Sequence, residues 1–73
     1  MKTLADIKPG DRAVVKNVKP TGIKGRLTDL GLIPGTKVEC LRISPLGDPA
    51  AFLIRGAVIA LRSEDSSRVL VEN

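Results

Sequence analysis

Catalysis and tight metal binding need side chains of particular types held close together, and this chain of 73 residues supplies few of them. It contains no histidine, so it lacks the side chain most often used as a base near neutral pH. Cys40 is the one thiol, set in a run that alternates like a strand. With no histidine or second thiol to activate it, it reads as a small buried hydrophobe rather than a nucleophile. Asp48, between Gly47 and Pro49, is expected to cap the backbone of its own loop. No glycine-rich loop ends in Lys-Ser or Lys-Thr, so no cradle for nucleotide phosphates is encoded. The chain is therefore not expected to be an enzyme.

The same poverty limits metal chemistry. Transition metals take imidazole, carboxylate and thiolate ligands in clusters. Glu39 and Cys40 are neighbours, and in a regular strand they point to opposite faces. Glu64 and Asp65 form a weak carboxylate pair that reads more simply as the acidic start of a helix. No metal ligand is assigned and no tightly bound cofactor is expected. A divalent transition metal would be held weakly, or at a site shared across an interface.

What must position these residues is a set of short elements around one punctuated stretch, Arg26 to Thr36. Ile23, Leu27 and Leu30 recur at helical spacing. Gly31 stands where a left-handed residue ends a helix, and Pro34-Gly35 suits the centre of a type II turn. Before it, Leu4 and Ile7 form two apolar anchors, Pro9-Gly10-Asp11 a turn, and Arg12 to Lys19 a strand. There Val18 breaks the two-residue period, the mark of a bulge or bend. After it, Lys37 to Ser44 reads as the clearest long strand, with Val38 and Cys40 on one face and Leu41 and Ile43 on the other. Residues 51–55 and 57–62 read as a hairpin about Gly56. Ser63 to Ser67 offers one helical turn with a serine cap, and Arg68 to Glu72 a last strand. Such a chain predicts a mainly β fold: a small closed barrel of about five strands, with one short helix after the first long strand and a single helical turn before the last.

One domain, residues 1–73, is all that this length allows. A single cysteine and the absence of a signal-peptide pattern predict a cytoplasmic protein. No apolar run approaches the roughly 20 residues that would span a bilayer. The net charge of +4 is carried by residues 1–36, which hold seven basic against three acidic side chains. A basic half of this kind favours an acidic protein surface, an anionic lipid layer or a nucleic acid.

Arg26-Leu27-x-x-Leu30-Gly31-Leu32-x-Pro34-Gly35-Thr36-x-Val38, then Pro45-Leu46-Gly47-Asp48-Pro49, then Gly56 and Ala60-Leu61-Arg62, closely resemble the FeoA family. Leu4-x-x-Ile7-x-Pro9-Gly10 and Arg68-Val69-Leu70-Val71 fit as well, so the resemblance covers nearly the whole chain. It implies an SH3-like barrel acting in bacterial ferrous iron uptake, as a small cytosolic accessory of FeoB. FeoB in turn is a membrane transporter with a cytoplasmic GTP-binding domain. The family often carries an aromatic residue after the hairpin glycine, where this chain has Ala57. A similar barrel closes some metal-dependent repressors, which keeps a metal-linked regulatory reading open.

Alternation along the hairpin places Phe52, Ile54, Ile59 and Leu61 inside. Leu53 and Val58 are left as a cross-strand pair facing solvent. With Arg55 beside them, and with Arg26 and Arg62 as further cationic anchors, they form the expected partner-binding set. The expected partner is the cytoplasmic part of FeoB, and a homo-oligomer through the same face is compatible with it. A nucleic-acid-binding barrel is the rival that the charge permits. It is disfavoured because Phe52 is the only aromatic and is assigned to the core.

Overall fold

The computed structural model describes residues 2–19, 27 and 29–72. Six antiparallel strands form one curled sheet in the order β1-β6-β2-β3-β4-β5. They are β1 (Lys2–Thr3), β2 (Arg12–Val18), β3 (Lys37–Ile43), β4 (Ala50–Ile54), β5 (Ala57–Leu61) and β6 (Val69–Glu72). A 3-10 turn, Leu4–Asp6, follows β1, and one helical turn, Ser63–Ser66, follows β5. Leu27 and Asp29 belong to a helical segment before β3. The strand count exceeds the expected five because β1, two residues long, is too short to show a period. Residues Ile23 and Arg26, which the sequence placed at the start of the central stretch, lie outside the described residues.

The aliphatic alternation closes the core as expected. Leu27, Leu32, Val38, Cys40, Phe52, Ile54 and Leu61 are buried, and Leu30 and Ile59 pack partly against them. Leu4 and Ile7, the two N-terminal anchors, are buried as well. The outer strands β1 and β5 do not pair with each other. Instead the 3-10 turn packs against the helical turn Ser63–Ser66 and covers the seam. That turn is fastened by a capping box, in which the Thr3 N–H donates to Asp6 at 2.8 Å and the Ala5 N–H donates to Thr3 Oγ1 at 3.2 Å. The Thr3 N–H foremost, and the Thr3 hydroxyl, which donates to the same carboxylate oxygen at 3.2 Å, hold the Asp6 carboxyl below its usual value of 3.8.

Turn chemistry follows the punctuation. The Asp11 N–H donates to the Lys8 carbonyl across Pro9-Gly10, and the Thr36 N–H to the Ile33 carbonyl across Pro34-Gly35. Gly31 and Gly35 take φ of 97° and 92°, as a helix stop and a type II turn require. The second turn is tied to β2, because the Gly35 N–H donates to the Val15 carbonyl and the Val15 N–H to that of Thr36. The break of period at Val18 is a true bulge: Val15 lies opposite Val71 but Asn17 opposite Leu70, leaving Lys16 extra.

A second bulge corrects the expected pattern of β3. Cys40 lies opposite Phe52 and Arg42 opposite Ala51, so Leu41 is the extra residue. Beyond it the faces exchange, and Ile43, opposite Ala50, turns to the side of Phe52 and lines the seam with Leu4. Leu41 and Ile43 therefore do not share an outer face, and Arg42 joins the outside in place of Ile43. The helical turn also differs from expectation. Arg62 is its N-cap and makes no side-chain cap bond. The missing acceptor comes from the β3–β4 loop, where Asp48 Oδ1 accepts the Ser63 N–H at 2.8 Å. Asp48 thus caps a distant helical turn rather than its own loop.

Candidate functional site

The outer face of the sheet is built by the strand registers. Arg12 lies opposite Glu39, Glu39 opposite Leu53, and Leu53 opposite Val58. One row therefore crosses four strands, passing from cation to anion to two aliphatic side chains. Arg12 Nε lies 3.3 Å from Glu39 Oε1, so the charged end of the row is internally paired. Val58 is 63% exposed, whereas Leu53 is half-buried between its neighbours. Lys37, opposite Val14, and Arg42, opposite Ala51, flank this row. Among the described residues this face carries the bases Arg12, Lys37 and Arg42, with Arg55 at the hairpin turn, against the acids Glu39 and Glu72, the latter opposite Val14 on β6.

A groove of about 510 Å³ opens along the row, floored by Val14 and Leu53 and walled by Lys37, Glu39 and Arg55. Arg55 was read as the end of a strand, but β4 stops at Ile54 and Arg55-Gly56 form the hairpin turn. Both turn residues have positive φ, 52° at Arg55 and 84° at Gly56. This is the pattern of a type I′ turn, which favours Asn-Gly, so arginine at the first position is strained. Its stem rests on the central stretch. A Cβ placed on Gly31 would come within 2.8 Å of Arg55 Cδ. The helix-stopping glycine therefore supplies the bare backbone over which the arginine stem crosses to the groove.

Of the expected partner-binding residues, the structure brings Leu53, Arg55 and Val58 onto one face. Arg62 is exposed but follows the far end of β5, roughly 17 Å from the turn by strand rise. Its Nη1 lies 3.9 Å from Asp48 Oδ2, a loose pair. Arg26 lies outside the described residues. Sequence reasoning missed Lys37, Glu39 and Arg42. The alternation carried the signal for the first two, and only the bulge at Leu41 brings out the third.

The chemical inventory is dispersed. Cys40 is fully buried, and desolvation, with Asp11 adding to it, pushes its thiol above the ordinary value, away from the reactive thiolate. Glu39 faces out while Cys40 faces in, and Glu64 is exposed while Asp65 is buried, so neither pair shares a ligand position. Among the described residues no three of Cys, Asp and Glu gather as metal ligands. Among them, too, no helix is long and apolar enough to cross a membrane.

Relatives share this frame. A solved FeoA protein from Chlorobium tepidum superposes with a TM-score of 0.89 at 36% identity, covering 97% of this chain and 69% of that one. The FeoA of Stenotrophomonas maltophilia complexed with zinc, described as a prokaryotic SH3 domain protein, gives 0.89 at 28% identity. That match covers 99% of this chain and 91% of the other. A Porphyromonas gingivalis protein, an Fe(2+) transport protein A/Fe(2+) transporter FeoB fusion, is 30% identical over 70 residues. The match takes in 94% of this chain but only 8% of the fusion protein. The sequence profile of the FeoA domain matches residues 2–73, and with the SH3-like sheet in place this chain belongs to the FeoA family.

Proposed function

We propose that this protein is a cytoplasmic accessory of bacterial ferrous iron uptake that docks on the cytoplasmic part of FeoB and modulates it. The observation that carries the reading is the Porphyromonas gingivalis fusion, in which an FeoA-like segment and FeoB share one polypeptide. The docking surface in this reading is the outer hairpin face, where Leu53, Val58 and the stem of Arg55 offer apolar contact, with Arg12, Lys37 and Arg42 on the neighbouring strands. The basic excess steers an acidic surface into place. The chain performs no reaction of its own. Divalent transition metals bind it weakly, through scattered surface carboxylates, and any firmer site is shared with a partner.

Binding of the transporter's cytoplasmic GTP-binding domain, measured by calorimetry, tests the surface directly. Val58→Asp is expected to weaken binding at least tenfold, about 1.4 kcal/mol. The same change costs the fold at most about 1 kcal/mol, because Val58 packs on an exposed strand. Unaltered affinity in Val58→Asp, with the fold intact, would remove the hairpin face from the account.

A further inference from the structure

The outermost strand beside this face has a property that the docking reading does not use. β5 reads Ala57-Val58-Ile59-Ala60-Leu61 and ends the sheet on one side. Edge strands are normally guarded by a lysine, a proline, a bulge or extreme shortness. β5 has none of these: it is five residues long, uncharged and paired in unbroken register with β4. The two-residue turn makes Ile54 and Ala57 a hydrogen-bonded pair, and such pairs then alternate along the ladder. Leu53–Val58 and Ala51–Ala60 are consequently the non-bonded pairs. The N–H and C=O groups of Val58 and Ala60 therefore point away from the sheet, without a backbone partner among the described residues.

We infer that β5 is a strand-addition site that takes one extended segment of a partner, aliphatic at alternate positions and acidic at its ends. This rests on the hairpin as the docking face and names what that face takes. The choice of occupant follows from charge. Arg55 precedes β5, and Arg62, largely exposed and only loosely paired with Asp48 at 3.9 Å, follows it, so an arginine head flanks each end of the strand. Arg42 lies in the next row inward, opposite Ala51 and so in line with Ala60. A second copy added antiparallel would bring the Arg55 end of one chain against the Arg62 end of the other, placing like charges together. A partner segment with carboxylates at its ends meets cations at both. Its alternate side chains on the outer face lie against Val58 and Leu53, and those on the inner face against the half-buried Ile59.

Hydrogen exchange read amide by amide on the full chain tests the inference with two probes. One is the transporter's cytoplasmic GTP-binding domain. The other is the blocked peptide EEVTVTVEE, with KKVTVTVKK as its charge-reversed control. The expected result is that the acidic peptide, or the domain, slows exchange at Val58 and Ala60 by roughly tenfold or more, while the basic peptide does not. Domain binding that leaves those two amides unprotected overturns strand addition but keeps the docking reading. Protection by the acidic peptide with no binding of the domain supports strand addition and overturns the choice of FeoB as partner. Protection that grows with the concentration of the protein alone assigns the edge to a second copy and overturns the acidic occupant. No protection under any of these conditions overturns the inference. Arg55→Glu with Arg62→Glu is expected to transfer protection from the acidic to the basic peptide, and an unchanged preference contradicts the charge argument.

Discussion

At one edge of the sheet, β1 is only two residues long and turns at once into the buried Leu4. At the other, β5 runs for five residues and leaves Val58 63% exposed. The first edge is closed by a capping box and by packing of the 3-10 turn against the helical turn Ser63–Ser66. The second is preceded by an arginine held at positive φ, whose side chain lines a groove over β2, β3 and β4. The closed edge concentrates local hydrogen bonds and buried aliphatic surface, so stability resides there. The open edge keeps backbone strain and exposed apolar surface, the features of a surface not built for stability alone.

The contrast can be broken by substitution. Leu4→Ala, at the closed edge, is expected to cost about 2–5 kcal/mol, because it opens a cavity against Phe52 and Leu61. In a domain this small that is a large share of its stability, and thermal unfolding followed by circular dichroism measures it. If Leu4→Ala were as mild as Val58→Asp, the two edges would not differ in the way described. Gly31→Ala comes next, at about 1–2 kcal/mol, because alanine pays for a left-handed φ. It also displaces the stem of Arg55, so it is expected to weaken partner binding even where the chain stays folded.

Arg55→Asn separates the edges most cleanly. Asparagine suits the first position of a type I′ turn, so urea denaturation is expected to show a gain of about 0.5–1 kcal/mol. Partner affinity is expected to fall in the same variant, since the cation and its stem are gone. A loss of stability would show that the packing of Arg55 on Gly31 outweighs its backbone strain. The smallest effect belongs to Asp6. Its folded pKa is depressed, so its contribution is full above the unfolded value near 3.8 and fades as the pH falls through the lower folded value. Carboxyl titration followed by NMR is expected to give a midpoint under 3.8, and Thr3→Ala, which removes the hydroxyl bond but keeps the larger main-chain one, to move it only part of the way back.

How much of this was legible depended on range. The turns at Pro9-Gly10, Gly31 and Pro34-Gly35, and the bulge signalled by Val18, are local events with local residues, and they stand where the sequence put them. Alternation in the hairpin likewise gave Leu53 and Val58 as a cross-strand pair on the outer face. The bulge at Leu41 left no such mark. Cys40, Leu41 and Ile43 are apolar on either reading, so nothing in the pattern showed that the faces exchange. Asp48 capping Ser63 joins residues fifteen apart through a loop, which no local signature encodes. The site was half legible for the same reason. Leu53, Arg55 and Val58 meet because a hairpin is local, whereas the separation of Arg62 follows from the length of β5.

The outer hairpin face is the surface we propose to dock on FeoB. Amide correlation spectra of the labelled protein, recorded while the cytoplasmic GTP-binding domain of FeoB is added, test it most directly. Shifts are expected to be confined to β4, the Arg55-Gly56 turn, β5 and the adjoining part of β3, with the closed edge around Thr3 to Ile7 unmoved. A spectrum unchanged at high partner excess, or shifts centred on the closed edge, would contradict it.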